Sequence, residues 1–255
     1  MDFENKIICG DALEVLKTVP DAFFDLVITS PPYNLGSQFG HAQKKQFKLM
    51  KNFGYDKFND DMIEEDYIIY HKNVLQELWR IIKNDGAIFY NRKFNVKSGN
   101  LCDPFLINNG GKMEYGNSGQ ILRQIIIWNK GTGIDHKDTY FAPSYENIYL
   151  IAKPKFRLNE IARKYTNIWH LGNEHKGHVN PHPAPFPIAL PYRCIECCYP
   201  GHGVFRVLDP FIGSGSTALA CKASGVYYTG VDINSDYVEM AKKRLINTGF
   251  DFLGV

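Results

Sequence analysis

The sequence has little of what a disulfide-stapled, membrane-spanning or strongly charged protein needs. Six cysteines in 255 residues are too sparse for a disulfide framework, so we expect reduced thiols. No apolar run approaches the roughly 18 residues of a membrane span, and the N-terminus, MDFENKIICGD, lacks a basic region followed by an apolar stretch. A formal net charge of +2 does not by itself declare a nucleic-acid partner. We therefore expect a cytoplasmic globular protein with no membrane partner.

Metal-binding spacings are also missing. Cys194 and Cys197 form a C-x-x-C, but no second pair of ligands stands at a matching spacing. A helix face of small buried residues is the favoured interpretation of this stretch. The histidines at 170, 175, 178 and 182 match no zinc pattern either, so no metal is predicted.

The chain does have an alternation of apolar strands and amphipathic helices. With 44% hydrophobic and 22% charged residues, it can bury the core of one large α/β domain over residues 1–255. Apolar runs predict strands in KIICGD, FDLVITS, GAIFYN, QIIIWNK, NIYLIAK, FRVLDPF and YYTGVDIN, and helical spacing marks ALEVLKTV, EEDYIIYHKNVLQELWRIIK, GSTALACKAS and DYVEMAKKRLIN. This pattern predicts a mostly parallel sheet with helices on both faces and ligands at the carboxyl ends of the strands.

Three long irregular stretches interrupt the pattern, near residues 35–62, 94–119 and 154–181. Long loops in a compact domain are usually functional or disordered, so these are the candidate recognition elements. The first contains lysines interleaved with aromatic residues: Lys44, Lys45, Lys48 and Lys51. Such a segment suits a surface that neutralises phosphates and stacks on bases, although a solvated surface would have a similar composition.

A glycine-rich turn in VLDPFIGSGSTALA follows a predicted strand and opens a helix. Gly213 and Gly215 let backbone amides approach a ligand, and the helix that begins near Ser216 and Thr217 points its N-terminus at that ligand. The next strand ends at Asp232, an acidic residue placed to bind ribose hydroxyls. These features indicate an adenosine-containing cofactor, with tight strand-to-helix packing alone as the alternative. The order G-S-G-S-T-A departs from the dinucleotide pattern G-x-G-x-x-G.

The strand FDLVITS ends in an unusual way, in the tetrapeptide Ser30-Pro31-Pro32-Tyr33. Two consecutive prolines remove two backbone donors and fix two φ angles, so the chain must leave the sheet with its carbonyl groups unpaired. The tetrapeptide is therefore either a rigid strand exit or a set of acceptors held out of the sheet for a ligand.

Together, DPFIGSGSTALA and TSPPYN resemble the amino-group DNA methyltransferases of the β class, in which the catalytic segment precedes the cofactor segment. ICGDALEVL, SYENIYLIAK and NPHPAPFPIALPYRCI extend the resemblance to most of the chain outside the irregular stretches. The resemblance implies a Rossmann-like methyltransferase fold, permuted so that the catalytic half precedes the cofactor-binding half, with S-adenosylmethionine as cofactor. It also implies double-stranded DNA as a partner, with a cognate restriction endonuclease and a second copy of the chain as further candidates.

The resemblance further implies roles for individual residues. The tetrapeptide is assigned to catalysis: Ser30 Oγ and the Pro31 carbonyl would accept the amino hydrogens of a flipped base, and Tyr33 would stack on that base. Asp11 is assigned to the adenine amino group and Asp232 to the ribose. The remaining cofactor-binding candidates are Ala12, His182, Asp209, Phe211, Gly213, Gly215, Ser216 and Thr217. Candidate DNA-binding residues besides the four lysines are Arg163 and Trp169.

The same resemblance also indicates which base is methylated. In this family the serine form of the tetrapeptide goes mostly with N4 of cytosine, so we expect a site-specific N4-cytosine enzyme of a restriction-modification system, with N6 of adenine as the alternative. The chain contains no Pro-Cys pair, which argues against covalent C5-cytosine chemistry. A non-catalytic nucleic-acid-binding protein is the alternative of a different class. Phe186 stands where the family usually carries a lysine, which removes a polar contact before the cofactor strand.

Overall fold

Helices and strands alternate along most of the chain, whose computed structural model describes residues 3–33, 62–97, 100–109, 112–117, 119–131, 141–172 and 187–247. In the first part of the chain the elements are β1 (Lys6–Cys9), α1 (Ala12–Lys17), β2 (Phe24–Thr29), α2 (Glu64–Ile81), β3 (Ile82–Arg92), β4 (Asn95–Lys97), β5 (Asn100–Cys102), β6 (Leu106–Asn109) and β7 (Lys112–Tyr115). In the second part they are β8 (Leu122–Asn129), β9 (Tyr145–Ala152), a 3₁₀ helix (Glu160–Lys164), β10 (Ile168–His170), α3 (Ala189–Cys198), β11 (Arg206–Asp209), α4 (Ser216–Ser224), β12 (Tyr227–Asp232) and α5 (Ser235–Asn247).

Eight strands form one sheet in the order β1-β12-β11-β2-β3-β9-β8-β10. The run from β1 to β3 is parallel throughout, and β9 pairs antiparallel with both β3 and β8. The N-terminal strand β1 therefore lies beside the C-terminal strand β12, with Cys9 opposite Asp232. This pairing agrees with the permuted order that the sequence predicts.

Helices pack on both faces of the sheet because its central strands are apolar on both sides. In β2, Leu26 and Ile28 belong to a core cluster that also contains residues of α3 and α4, whereas Val27 belongs to a second cluster with residues of α1 and α2. Successive residues of a strand point to opposite faces, so these clusters are the two sides of the sheet. The prediction of an α/β fold with a mostly parallel sheet is confirmed.

Two of the irregular stretches contain structure that the sequence did not predict. The stretch at 94–119 holds two antiparallel hairpins, β4–β5 and β6–β7, and the stretch at 154–181 holds the 3₁₀ helix and β10. Strand β10 pairs in parallel with β8 and forms the edge of the sheet. The stretch at 35–62 lies outside the described residues except at its last position. No helix among the described ranges is long and apolar enough to cross a membrane.

Candidate active site

The carboxyl ends of four adjacent parallel strands bring the two unusual turns of the sequence together. Strands β12, β11 and β2 are neighbours, so Asp232, Asp209 and Ser30 lie at one edge of the sheet. Asp11 follows β1, the next strand outward. In open α/β sheets this edge is where ligands bind.

Asp209 ties the two turns to each other. Its carboxylate accepts hydrogen bonds from Thr29 Oγ1 at 2.8 Å, at the end of β2, and from Thr217 Oγ1 at 2.6 Å, in the first turn of α4. The amide of Phe211 donates to the same carboxylate at 3.1 Å. Asp209 is fully buried. Both of its oxygens thus face protein donors, and in this geometry Asp209 fixes the glycine turn and α4 against the end of β2.

Burial of Asp209 has a consequence for stability. Removal from water raises the pKa of its carboxyl group to about 6, despite the hydrogen bonds from Thr217, Thr29 and Phe211, which lower it. A carboxyl whose folded-state pKa lies above its unfolded value of about 3.9 stabilises the folded protein at low pH. That contribution is lost as the pH rises through about 6.

We therefore expect Asp209→Asn to change how stability depends on pH. Because asparagine does not titrate, the wild-type protein should lose about 2 kcal/mol more unfolding free energy than the variant between pH 4 and pH 7. Urea unfolding of both proteins at several pH values measures the difference. Parallel curves over this range would show that Asp209 does not carry a raised pKa.

The glycine turn has the backbone conformation that the sequence indicates. Gly215 has φ of 89°, in the left-handed region, and a Cβ placed there would lie 2.9 Å from the Cβ of Ala241. Gly213 also has a positive φ, of 49°. Glycine is required at Gly215 by both the backbone conformation and the close approach of α5.

Asp232 closes the other side of this turn. Its carboxylate accepts the amide of Gly213 at 2.9 Å and the amide of Asn234 at 2.8 Å. Burial raises the pKa of Asp232, and these two amides oppose that effect. A carboxylate held in this way has lone pairs left to accept further hydrogen bonds from a ligand.

The rest of the predicted cofactor pocket lies close by. Asp11 caps α1 by accepting the amide of Glu14 at 3.0 Å, and its second oxygen accepts the hydroxyl of Tyr70 at 3.0 Å. Ala12 is buried at the start of α1, and the ring of Phe211 packs near the ring of His71. His182 lies outside the described residues.

The start of α4 has polar groups that suit a cofactor. Gly215 provides no side-chain cap for the helix, and within the described residues the buried Ser216 Oγ has no hydrogen-bond partner. Orphaned donors at a helix N-terminus are usually satisfied by side chains, water or ligands. The turn, the orphaned hydroxyl and the acidic side chains together fit the adenosine and amino-acid parts of S-adenosylmethionine.

The tetrapeptide that follows β2 presents two different carbonyl environments. Tyr67 Oη donates to the carbonyl of Pro32 at 2.8 Å, which fixes the second proline against α2. The carbonyl of Pro31 accepts no hydrogen bond from any part of the chain that the structure describes. Within the described residues it is thus an acceptor without a donor.

Ser30 and Tyr33 lie in a polar cluster that the sequence did not predict. Ser30 Oγ lies 3.1 Å from Tyr33 Oη, and Tyr33 Oη donates to Glu146 Oε2 at 3.2 Å. Asn91 Nδ2 is 2.8 Å from Glu146 Oε2 and 3.1 Å from Tyr33 Oη. Lys130 pairs with the other oxygen of Glu146. Asn91 is the second-last residue of β3 and Glu146 lies on β9, so the sheet places them beside the tetrapeptide.

The sequence places Glu146 and Asn91 in predicted strands but indicates no role for either side chain. Glu146 lies in SYENIYLIAK, a segment that forms part of the family resemblance, and it is the one charged residue of β9. Asn91 ends the strand predicted from GAIFYN. Only the antiparallel pairing of β3 with β9, which a single sequence does not reveal, brings the two side chains together.

The predicted DNA-binding residues have different outcomes. Lys44, Lys45, Lys48 and Lys51 lie outside the described residues. Arg163 is exposed on the 3₁₀ helix and forms an ion pair with Glu160 at 2.7 Å.

Trp169 is only 4% exposed and packs in the core beside Phe89. Its indole N–H donates a hydrogen bond to the carbonyl of Thr166. The interpretation of Trp169 as a DNA-contacting residue is corrected, because a side chain buried in β10 cannot stack on a base.

Cys194 and Cys197 are buried on one helix, α3, as expected for a helix face of small buried residues. Burial raises the pKa of both thiols. Among the described residues, no cluster of three or more His, Cys, Asp or Glu side chains could hold a metal ion. His175, His178 and His182 are not among those residues.

Comparison with known proteins agrees with this arrangement. The N6/N4 model of the DNA methylase family matches residues 24–243. The Type II methyltransferase M.HpaI of Haemophilus parainfluenzae is 29% identical over 97% of this chain and 77% of its own length. The DNA adenine methyltransferase YhdJ of Escherichia coli (strain K12) is 26% identical over 94% of this chain and 82% of its own.

A solved structure shares the fold. The PvuII DNA methyltransferase (cytosine-N4-specific) superposes with a TM-score of 0.71 at 16% identity, over 98% of this chain and 90% of that one. Its Rossmann-like fold confirms the predicted fold class. The chain therefore belongs to the DNA methylase family, as one of the β-class amino DNA methyltransferases that its motifs resemble, and S-adenosylmethionine is its cofactor as predicted.

Proposed function

We propose that this DNA methyltransferase transfers a methyl group to the exocyclic N4 of cytosine in double-stranded DNA, at a specific site. One observation carries the proposal: Ser30 Oγ and the Pro31 carbonyl, which accepts no hydrogen bond from the described residues, occupy one turn. Asp209 ties that turn to the glycine turn of the cofactor pocket. Two acceptors thus lie beside the place where a methyl donor fits.

The acceptors matter because an exocyclic amino nitrogen is a poor nucleophile while its lone pair is delocalised into the ring. Ser30 Oγ and the Pro31 carbonyl can each accept one N–H of the amino group. The two hydrogen bonds draw the nitrogen toward tetrahedral geometry and direct its lone pair outward. The bound cofactor supplies an electrophilic methyl group on its sulfonium.

The protein also has to hold the target base outside the helix. Tyr33 follows the acceptors directly, and its aromatic ring is proposed to stack on the flipped cytosine. Its hydroxyl is held by the polar cluster with Asn91 and Glu146, which fixes the position of the ring. Burial and the charge of Glu146 raise the pKa of Tyr33 well above its usual range, so the phenol stays neutral.

The second candidate function is N6-adenine methylation. The observation that favours it is the similarity to YhdJ, whose name describes an adenine enzyme, over most of both chains. The serine at the first position of the tetrapeptide keeps N4-cytosine as the first choice. An amino group on either base presents the same two N–H donors, so the catalytic residues are the same for both.

The DNA surface and partners belong to the same proposal. The lysine segment at 44–51 follows Tyr33 closely in the chain and is proposed to grip the phosphate backbone, with Arg163 on a second element. Since M.HpaI is named a Type II methyltransferase, we extend the proposal to a restriction-modification role with a cognate endonuclease. A second copy of the chain is a further proposed partner.

Identification of the methylated nucleoside tests this proposal. Purified protein is incubated with S-adenosylmethionine and DNA of diverse sequence, and the DNA is then digested to nucleosides for mass spectrometry. We expect N4-methylcytosine, while N6-methyladenine would establish the second candidate. Either 5-methylcytosine or no transfer at all would contradict amino methylation, and cofactor binding without transfer would favour a non-catalytic DNA-binding protein.

A further inference from the structure

Glu146 ends a chain of hydrogen bonds that begins at the proposed catalytic serine. Its side chain is 12% exposed, and its two oxygens are approached by Lys130, Asn91 and Tyr33. Lys130 Nζ forms an ion pair with Glu146 Oε1, and a carboxylate in such a pair can only accept hydrogen bonds. The Tyr33 hydroxyl must therefore donate to Glu146 Oε2, as its distance of 3.2 Å allows.

This direction propagates to Ser30. Once the single proton of the Tyr33 hydroxyl is committed to Glu146, Tyr33 Oη can only accept at its other positions. The contact of 3.1 Å between Ser30 Oγ and Tyr33 Oη is then a hydrogen bond that serine donates. With its proton turned toward Tyr33, Ser30 Oγ keeps its lone pairs for other donors.

Asn91 reinforces the same direction. Its Nδ2 carries two hydrogens and lies 2.8 Å from Glu146 Oε2, 3.1 Å from Tyr33 Oη and 3.4 Å from Ser30 Oγ. The two shorter contacts use both hydrogens, so the hydrogen bond from Asn91 to Ser30 Oγ is the weakest of the three. The asparagine thus leaves Ser30 Oγ open while it occupies Tyr33 Oη as a donor.

We propose that Glu146 is a positioning residue that sets the direction of the Ser30–Tyr33–Glu146 hydrogen bonds and so keeps a Ser30 lone pair free for the amino group of the target base. The inference rests on the proposed function and deepens it, because it concerns the same acceptor. Glu146 acts through Tyr33 and Ser30 and makes no contact with the substrate itself.

The variant Glu146→Gln reverses this direction with little change in shape. Lys130 needs an acceptor, so the glutamine carbonyl oxygen faces Lys130 and the amide nitrogen faces Tyr33. Asn91 Nδ2, which donates to this position in the wild type, would then face a second NH2 group, so the Asn91 amide turns its Oδ1 toward glutamine. Tyr33 Oη accepts from glutamine, and its released proton turns to Ser30 Oγ, where it occupies the lone pair that the amino group needs. We expect methyl transfer to slow about 10- to 100-fold, the cost of one blocked buried hydrogen bond.

The measurement is the single-turnover rate of methyl transfer at saturating DNA and S-adenosylmethionine, together with the dissociation constants of both ligands. A slower rate with both dissociation constants within about twofold of wild type supports the proposal. A wild-type rate overturns it, and so does a loss that is confined to ligand binding.

A matched control exists elsewhere in the chain. Glu196, on α3, accepts a hydrogen bond of 2.7 Å from the hydroxyl of Tyr165, the residue that follows the 3₁₀ helix. Glu196→Gln makes the same chemical change to a tyrosine–glutamate pair that does not join the tetrapeptide. We expect this control to transfer methyl groups at the wild-type rate, and an equal loss in both variants would contradict a specific role for Glu146.

A double variant tests whether the three residues act as one unit. Tyr33→Phe keeps the aromatic ring but removes the link between Ser30 and Glu146, so we expect this single variant to slow methyl transfer. It therefore tests the proposal even if Glu146→Gln yields too little folded protein. Adding Glu146→Gln to Tyr33→Phe should then cost less than about twofold more. Losses that multiply would show that Glu146 acts by another route, as would normal transfer by Tyr33→Phe. A wild-type protein that methylates no amino group would instead contradict the proposed function.

Discussion

Replacing Ser30 with alanine is expected to slow methyl transfer about 100- to 1,000-fold, a loss typical of removing one preorganised hydrogen-bonding group from an active site. The variant keeps the Pro31 carbonyl but loses the acceptor that orients the amino group. The affinity for S-adenosylmethionine should change by less than about twofold, since the serine hydroxyl is not part of the cofactor pocket. Single-turnover kinetics and calorimetry measure the two quantities separately.

Ser224→Ala provides the control for this change. Ser224 ends α4, whereas the cofactor turn lies at the opposite end of that helix. The control should keep both the transfer rate and the cofactor affinity. A Ser30→Ala protein with a normal transfer rate would mean that Ser30 Oγ does not accept an amino hydrogen.

The second large effect is expected at Asp232. Asp232→Ala removes the proposed acceptor for the ribose hydroxyls and also the acceptor for the amides of Gly213 and Asn234. We expect S-adenosylmethionine to bind more weakly by about 1 to 3 kcal/mol, the usual cost of losing a hydrogen bond to a charged group. Calorimetric titration of the cofactor in the absence of DNA measures the loss directly.

Asp236→Ala provides the control for Asp232→Ala, because it removes another aspartate four residues further along the chain. Asp236 is exposed in the first turn of α5, so Asp236→Ala removes a negative charge without removing a buried acceptor. Cofactor affinity should be unchanged in this control. Equal binding by Asp232→Ala and the wild type would show that the ribose is held elsewhere.

Most of the sheet could be predicted because its central strands are continuous apolar runs. FDLVITS and FRVLDPF correspond to β2 and β11, and the helix predicted from EEDYIIYHKNVLQELWRIIK corresponds to α2. Buried parallel strands and amphipathic helices leave this signal in any sequence. The hairpins between β4 and β7 gave no such signal, because short strands among polar and glycine residues have the composition of a loop.

The active site divides in the same way. Ser30 and Gly215 could be found because consecutive prolines and closely spaced glycines are unusual in any strand exit. Glu146 could not be found, because its role depends on which strand lies beside β3. Trp169 was misplaced for a related reason: an aromatic residue near arginines and lysines looks like a base-stacking surface until the sheet shows that β10 buries it.

The most direct test of the account is a crystal structure of the protein with double-stranded DNA and a cofactor analogue that cannot transfer its methyl group. The account predicts a cytosine turned out of the helix, with its N4 about 2.7 to 3.2 Å from both Ser30 Oγ and the Pro31 carbonyl oxygen. The methyl-donor position should face N4 from the side opposite these two acceptors. A target base held in a different pocket, or an amino group that contacts neither acceptor, would contradict the central claim.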